Sequence, residues 1–204
     1  MVRVKICGLT RLEDAVMAAA LGADALGFVF AESPRQVNPD AVRRMVRHLP
    51  PLVLTVGVFK DEALREIQRV RDYCGLDFVQ LHGAESERTA ARLGRRVIKV
   101  VTFTDAPPTF EAFPKATLLL DAPKNQPRPR TGPGFDWRLA REAARARPVI
   151  LAGGLNPDNV RLAIDTVRPF AVDVSSGVEK EPGRKDHAKI AAFINRAKAL
   201  EPAA

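Results

Sequence analysis

Short apolar runs alternate with amphipathic stretches along most of the chain. Residues 2–7 alternate apolar and polar side chains with a period of two, which predicts a β-strand. Residues 25–30 are almost continuously apolar, as expected of a strand buried on both faces of a parallel sheet. By the same criteria six further runs predict strands, at residues 53–59, 78–81, 97–103, 117–120, 149–152 and 171–174.

Amphipathic stretches between these runs predict helices at residues 11–21, 39–49, 62–73, 87–93, 157–167 and 187–200, and a further helix begins near Asp136. Side chains that cap helix N-termini precede most of them, namely Thr10, Asp61, Ser86, Asn156 and Asp186, with Glu13 completing a capping box after Thr10. Pro39 and Pro157 stand at first helical positions, where the missing N–H of proline removes no helical hydrogen bond.

The order of these elements predicts the fold. Eight strand–helix units of about 25 residues follow one another, and the fifth helix is reduced because residues 104–114 contain three prolines. Strict alternation indicates right-handed crossovers and a parallel sheet. We expect a closed TIM (βα)8 barrel instead of an open doubly wound sheet, because no glycine-rich dinucleotide loop follows the first strand. No linker divides residues 1–204, so a single domain is expected.

Composition narrows the class of protein. Two cysteines make no disulfide framework, no apolar stretch approaches the roughly 18 residues of a membrane span, and a cytoplasmic protein is expected. The net charge of +8 raises the question of nucleic acid. However, the arginines are scattered along helix faces and aromatic residues make up only 6%. We favour a solvated basic surface over attraction of an acidic metabolite, and both over nucleic-acid binding.

Small residues follow the last two predicted strands. Gly153 and Gly154 end the seventh, and Ser175, Ser176 and Gly177 end the eighth. Backbone N–H groups in such loops can be approached closely by an anion, and the last two loops of a TIM barrel are a common phosphate site. Either motif alone is as well explained by an ordinary turn, but the two together favour a phosphorylated small molecule.

Chemically active side chains follow other strands and would meet at one rim of the barrel. Cys7 and Asp121 could act as general base and general acid. A lone cysteine at a strand end is more often a buried apolar residue, and a thiol base would need nearby positive charge. His82 is as well explained by loop hydrogen bonding as by ligand binding, and the spacing of Cys7, Cys74 and His82 disfavours a metal site.

Eight motifs in fixed order resemble the phosphoribosylanthranilate isomerase family of tryptophan biosynthesis. They are KICGLTRLEDA, GFVFAESPRQV, VGVF, VQLHG, LLLDA, TGPGFDW, ILAGGLNPDNV and DVSSGVE, and they cover essentially the whole chain. The resemblance implies a TIM barrel and an Amadori rearrangement of N-(5'-phosphoribosyl)anthranilate to 1-(2-carboxyphenylamino)-1-deoxyribulose 5-phosphate, without a cofactor.

The resemblance also implies a role for each motif residue. It makes Cys7 the general base, Asp121 the general acid and Arg35 the residue that binds the anthranilate carboxylate. Phosphate contacts fall on the backbone of Gly154, Ser176 and Gly177, with Gly153 and Ser175 beside them. The sixth loop departs from the family, since Pro129, Arg130, Thr131 and Gly132 stand where GGTG is usual, which puts its closure over substrate in question.

Two other functions are compatible with parts of this pattern. The related isomerisation of histidine biosynthesis uses two aspartates on comparable strands, and Cys7 argues against it. A non-catalytic phosphometabolite or nucleic-acid binder is disfavoured because both an acid and a base candidate lie at the rim. The sequence leaves monomer and homodimer open.

Overall fold

Eight parallel strands form a closed barrel in the computed structural model, which describes residues 1–102, 113–122 and 137–199. The strands are β1 Arg3–Ile6, β2 Ala25–Val29, β3 Leu54–Phe59, β4 Phe78–Leu81, β5 Val97–Thr102, β6 Thr117–Asp121, β7 Val149–Leu151 and β8 Ala171–Val174. They pair in sequence order, and β1 closes the barrel by pairing with β8. The predicted barrel is confirmed, and each predicted strand end lies within one residue of the observed end.

Seven α-helices occur in the described part of the chain. They are α1 Leu12–Ala20, α2 Pro39–Val46, α3 Leu64–Cys74, α4 Glu87–Leu93, α5 Trp137–Ala146, α6 Val160–Val167 and α7 His187–Lys198. The expected reduced fifth helix falls on residues 104–114, of which only 113 and 114 are described. The sixth loop, residues 123–134, and the helix start near Asp136 also lie outside the described residues.

Apolar side chains fill two layers, one between strands and helices and a smaller one inside the barrel. The outer layer joins strand residues such as Leu118 to helix residues such as Ile67 and Phe193. The inner layer contains Val56, Ile98, Leu119, Ile150, Ala152 and Ala171. Consecutive residues fall in different layers because side chains alternate between the two faces of a strand. Since Ile6 belongs to the outer layer, Lys5 and Cys7 face the barrel interior.

Three of the predicted helix caps are present. The side chains of Ser86 and Asp186 accept hydrogen bonds from backbone N–H groups in the first turns of α4 and α7, as predicted. The Asn156 side chain accepts from the N–H groups of Asp158 and Asn159, so it caps the turn that leads into α6. The helix itself begins three residues later than predicted, at Val160.

Two predicted caps are wrong. The Thr10 hydroxyl donates to the carbonyl of Gly183, and α1 begins after Arg11 with no side-chain cap, so Glu13 completes no capping box. Asp61 has φ of 54° and accepts from the N–H of Ala84, three residues before α3 begins. In each case a partner distant in sequence takes the polar side chain, which local sequence rules do not detect.

A small hairpin after the barrel was not predicted. The 3₁₀ turn Ser176–Val178 follows β8 and leads into β9 Glu179–Glu181, which pairs antiparallel with β10 Arg184–Lys185. The hairpin precedes α7 and is joined to the β1–α1 loop by the bond from Thr10 to Gly183. It therefore lies beside the carboxyl end of the barrel.

Candidate active site

A cavity of about 250 Å³ opens at the carboxyl ends of the barrel strands. Eight of the nine predicted site residues line it: Cys7, Arg35, His82, Asp121, Gly153, Gly154, Ser175 and Ser176. Gly177, the ninth, follows Ser176 in the 3₁₀ turn. Strand ends from opposite sides of the barrel thus bring together residues that are far apart in sequence, as is usual for TIM-barrel enzymes.

Cys7 follows β1 and lies at the floor of this cavity. Its N–H donates to the carbonyl of Val174 at 2.8 Å, so the end of β8 fixes its backbone. The thiol packs against Gly27 of β2, where an added Cβ would lie only 2.7 Å from Sγ. Burial raises the pKa of the thiol, and the nearby Lys5 ammonium acts against that rise.

Lys5 and Asp173 form a buried ion pair inside the barrel, with Nζ and Oδ1 2.8 Å apart. They are register partners on β1 and β8. Burial by itself would lower the pKa of Lys5, but the charge of Asp173 and the thiol of Cys7 outweigh burial and raise it. Lys5 therefore stays charged, two residues before Cys7 on the same face of the strand. Its charge favours the thiolate form of Cys7, while the charge of Asp173 acts in the opposite direction.

Asp121 ends β6 and lines the same cavity. Its Oδ1 accepts from the N–H of Ala122 at 2.8 Å. Its Oδ2 lies 3.8 Å from Nε2 of His82. This distance is too long for a direct hydrogen bond, but it is short enough for a protonated imidazole to attract the carboxylate. Both side chains are partly exposed and line the cavity, so a bound molecule can contact the Asp121 carboxylate. His82 lines the cavity beside Asp121.

Gln80 is a lining residue that the sequence analysis missed. It lies on β4 facing the barrel interior and is 2% exposed. Its Oε1 has no hydrogen-bond partner within the described ranges. A buried amide oxygen without a partner is costly, so a donor on a bound ligand would satisfy it.

The two glycine-containing loops meet at one side of the cavity. Gly153 and Gly154 have φ of 84° and 75°, a left-handed conformation that glycine adopts without steric cost. The Asn159 side chain holds the first loop by donating to the carbonyl of Gly154 at 3.0 Å. In the second loop a Cβ on Gly177 would lie 2.0 Å from the carbonyl oxygen of Leu155, so only glycine allows the two backbones to approach.

Several N–H groups in these loops remain available for an anion. Among the described residues, no acceptor is found for the N–H groups of Gly154, Ser176 or Gly177. Free N–H groups near the start of α6 and of the 3₁₀ turn attract negative charge. Gly154 and Ser176 also line the cavity, so an anion bound there would be within reach of these loops.

Arg35 reaches the cavity from the loop after β2, but its guanidinium is already paired with Glu179. The two groups form a bidentate contact, with Nε–Oε1 at 2.8 Å and Nη2–Oε2 at 2.6 Å. Lys185 also contacts Glu179, with its Nζ 2.8 Å from Oε1. Burial would raise the pKa of Glu179, but the hydrogen bonds from Arg35 and Lys185 lower it, so Glu179 is ionised. Neither Glu179 nor Lys185 was predicted from the sequence as a site residue.

The described ranges contain no cluster of three or more His, Cys, Asp or Glu side chains able to hold a metal ion. None of the helices described is both long enough and apolar enough to cross a membrane.

The fold and the cavity define a (βα)8-barrel enzyme with a thiol and a carboxylate facing one ligand site. The family model for N-(5'phosphoribosyl)anthranilate (PRA) isomerase matches residues 4–196. The chain belongs to this family and is an isomerase of tryptophan biosynthesis, which confirms the resemblance carried by the eight motifs.

Individual relatives agree over the full length. An N-(5'-phosphoribosyl)anthranilate isomerase from Geobacter sp. (strain M21) is 50% identical over 204 residues, covering 98% of this chain and 100% of the relative. A solved phosphoribosyl anthranilate isomerase in complex with reduced 1-(o-carboxyphenylamino)-1-deoxyribulose 5-phosphate is 45% identical, with a TM-score of 0.86 and coverage of 98% and 100%. Mutually generated monomers of the dimeric enzyme from Thermotoga maritima have a TM-score of 0.85, with the same identity and coverage.

Proposed function

We propose that this chain converts N-(5'-phosphoribosyl)anthranilate to 1-(2-carboxyphenylamino)-1-deoxyribulose 5-phosphate by general acid–base catalysis, without a cofactor. The observation that carries the proposal is that Cys7, Asp121 and the two glycine-containing loops line the same cavity. Substrate and product are isomers, so the reaction needs only proton transfers between positioned groups. A solved relative holds a reduced form of this product, which supports the substrate class.

Asp121 acts first in this proposal. It donates a proton to the ring oxygen, the bond from that oxygen to C1' breaks, and the nitrogen lone pair forms the C1'=N bond of a protonated imine. Cys7, as the thiolate, then removes the proton from C2'. The electrons of the C2'–H bond form a C1'=C2' double bond, the imine pair returns to nitrogen, and the resulting enaminol tautomerises to the amino ketone.

In this proposal the two charged groups of the substrate, its phosphate and its carboxylate, bind to different residues of the site. The backbone of Gly154, Ser176 and Gly177 binds the phosphate, flanked by Gly153 and Ser175. Arg35 binds the anthranilate carboxylate, since a planar guanidinium matches a carboxylate with two parallel hydrogen bonds. We further propose that residues 1–204 act as a single domain in the cytoplasm, on a small molecule and with no nucleic-acid partner.

Binding of the reduced product analogue tests this function. Titration calorimetry should show one site per chain, and the bound analogue should slow alkylation of Cys7 by a thiol reagent at least tenfold, because the ligand covers the thiol. An analogue that fails to bind, or that binds and leaves Cys7 unprotected, would contradict the proposed site. Sedimentation of the same sample decides between monomer and homodimer, since a related enzyme is dimeric.

The phosphate cradle predicts a specific effect of inorganic phosphate on stability. At about ten times its Kd, phosphate bound only to the folded state stabilises by about 1.4 kcal/mol, which raises Tm by about 3–6 °C for a domain of this size. Gly154→Asp should abolish that rise, because it places a carboxylate where the phosphate binds. Thermal melts with and without phosphate measure both.

Gly75→Asp is the matched control for this variant. Gly75 follows α3 with φ of 72°, close to the 75° of Gly154, and an added Cβ there meets nothing within 4 Å. Both variants place an aspartate at nearly the same positive φ, but only Gly154 lies at the cavity. Gly75→Asp should keep the full phosphate-dependent rise, and a normal rise in Gly154→Asp would exclude this cradle.

A further inference from the structure

The guanidinium of Arg35 has two edges that can each donate two parallel hydrogen bonds, and one edge is occupied. Glu179 takes the edge formed by Nε and Nη2, at 2.8 and 2.6 Å. The Nη1 atom donates to no residue in the described part of the chain. Because Arg35 lines the cavity, the second edge, Nη1 with the other hydrogen of Nη2, is left for a ligand carboxylate.

Glu179 is itself fixed more firmly than a surface carboxylate. Its side chain is 5% exposed, against 22% for Arg35. Its Oε1 also accepts from Lys185, and its backbone carbonyl accepts from Lys189 at 3.0 Å. A long arginine side chain held at a buried, immobile carboxylate loses most of its rotational freedom before any ligand arrives.

The charges in this cluster also leave attraction for a ligand anion. Two cations, Arg35 and Lys185, share the single carboxylate of Glu179, and the Lys185 side chain is fully buried. Lys185 also donates to the carbonyl of Ser175 at 3.1 Å, which ties the cluster to the loop after β8. Burial lowers the pKa of Lys185, and the hydrogen bond and charge of Glu179 act against that lowering. With Lys185 protonated, these three groups carry one net positive charge, so pairing with Glu179 does not neutralise Arg35 toward an incoming carboxylate.

We infer that Glu179 is a positioning residue. It holds Arg35 so that the free edge of the guanidinium faces the substrate carboxylate, and the positive charge of Lys185 balances the negative charge of Glu179. The inference rests on the proposed function, in which Arg35 binds that carboxylate. Glu179 itself touches no substrate atom and acts only through Arg35. Replacing Glu179 should therefore weaken substrate binding and leave the proton transfers at Cys7 and Asp121 unchanged.

Steady-state kinetics of Glu179→Gln tests this inference by the sign of the change. Loss of orientation should raise KM for N-(5'-phosphoribosyl)anthranilate about five- to tenfold, with kcat within about threefold. If Glu179 merely weakened Arg35 by its negative charge, the same variant would lower KM. Glu181→Gln is the control, since Glu181 lies on the same strand with its side chain 63% exposed and should leave both constants unchanged.

A double-variant cycle with Arg35→Met separates positioning from a general structural role. Arg35→Met should raise KM at least as much as Glu179→Gln, and the double variant should equal Arg35→Met alone. If Glu179 only stabilised the hairpin, the changes in KM caused by Glu179→Gln and by Arg35→Met would instead multiply in the double variant. If Glu179→Gln does not fold, Glu179→Asp keeps the charge but is one methylene too short for the guanidinium edge, and it should raise KM in the same direction.

The possible outcomes distinguish the inference from the proposed function. Unchanged or lowered KM in the Glu179 variants, with raised KM in Arg35→Met, would overturn the positioning role and leave the proposed function intact. Unchanged KM in Arg35→Met would instead show that Arg35 does not bind the substrate, and would remove both. Non-additive increases in KM in all three variants support the inference.

Discussion

Cys7→Ser should fold normally and lose turnover by about 10³-fold or more. The active base is the deprotonated side chain, and a serine hydroxyl is so much less acidic than a thiol that almost no alkoxide forms. One positioned base typically contributes about 10²- to 10⁴-fold. The substitution makes the side chain smaller at a tightly packed position beside Gly27, so it creates no clash. Steady-state kinetics with a thermal melt of each protein measures the effect.

Cys74→Ser is the matched control for this experiment. Cys74 is the other buried cysteine, at the end of α3, and burial raises its pKa to about 11. It contacts the carbonyl of Pro39 and does not line the cavity. Cys74→Ser should therefore keep kcat within about twofold. Near-normal turnover in Cys7→Ser would assign Cys7 to core packing instead of catalysis.

Asp121→Asn should lower kcat by about 10²- to 10⁴-fold with little change in KM. Asparagine keeps the size of the side chain but cannot donate a proton of comparable acidity to the ring oxygen. Asp158→Asn is the control, because Asp158 lies in the loop after β7, is largely exposed and pairs with Arg196. A carboxylate that only braces the sixth loop would give the opposite pattern, with raised KM or lowered Tm and kcat within a few-fold.

The pH dependence of the activity that remains in Asp121→Asn tests whether Cys7 acts as a thiolate. In the intact enzyme the acid must hold a proton and the base must lack one, so their opposite pH dependences cancel over part of the range. Once Asp121 is removed, kcat/KM should rise with pH as the thiol deprotonates. Because burial raises the pKa of Cys7, this rise should continue above the ordinary thiol range, at about tenfold per pH unit below the pKa. A flat profile would contradict a thiolate base.

The barrel could be predicted because its signals are local. Short apolar runs separated by helical stretches repeat eight times, and the parallel order follows from that alternation. The caps at Ser86 and Asp186 were predictable for the same reason, since donor and acceptor lie three residues apart. Thr10 and Asp61 failed because their partners, Gly183 and Ala84, lie 173 and 23 residues away.

The site was predictable only in part. Asp121 ends a strand, and Cys7 and the glycine loops follow directly after strands, which places all of them at the carboxyl end of any parallel barrel. Lys5 and Asp173 are 168 residues apart and meet only because β1 closes on β8. A charged residue alternating with buried apolar ones in β1 was the available signal for Lys5.

The partner of Arg35 could not be predicted, because it lies on a hairpin that the sequence pattern does not indicate. Glu179 lies 144 residues from Arg35 and enters the site through the hairpin after β8. The hairpin strands are only three and two residues long, too short for a periodic pattern to appear. Charged pairs that bridge loops are therefore the part of the site that required the structure.

The most direct measurement adds the purified protein to N-(5'-phosphoribosyl)anthranilate and follows the loss of substrate fluorescence, with chromatography and mass measurement of the product. The proposed function predicts a decay proportional to protein concentration and a product of the same mass as the substrate, the amino ketone. Protein carrying both Cys7→Ser and Asp121→Asn should give no decay above the uncatalysed rate. Unchanged fluorescence with the intact protein, or release of free anthranilate as the only product, would contradict the proposed function.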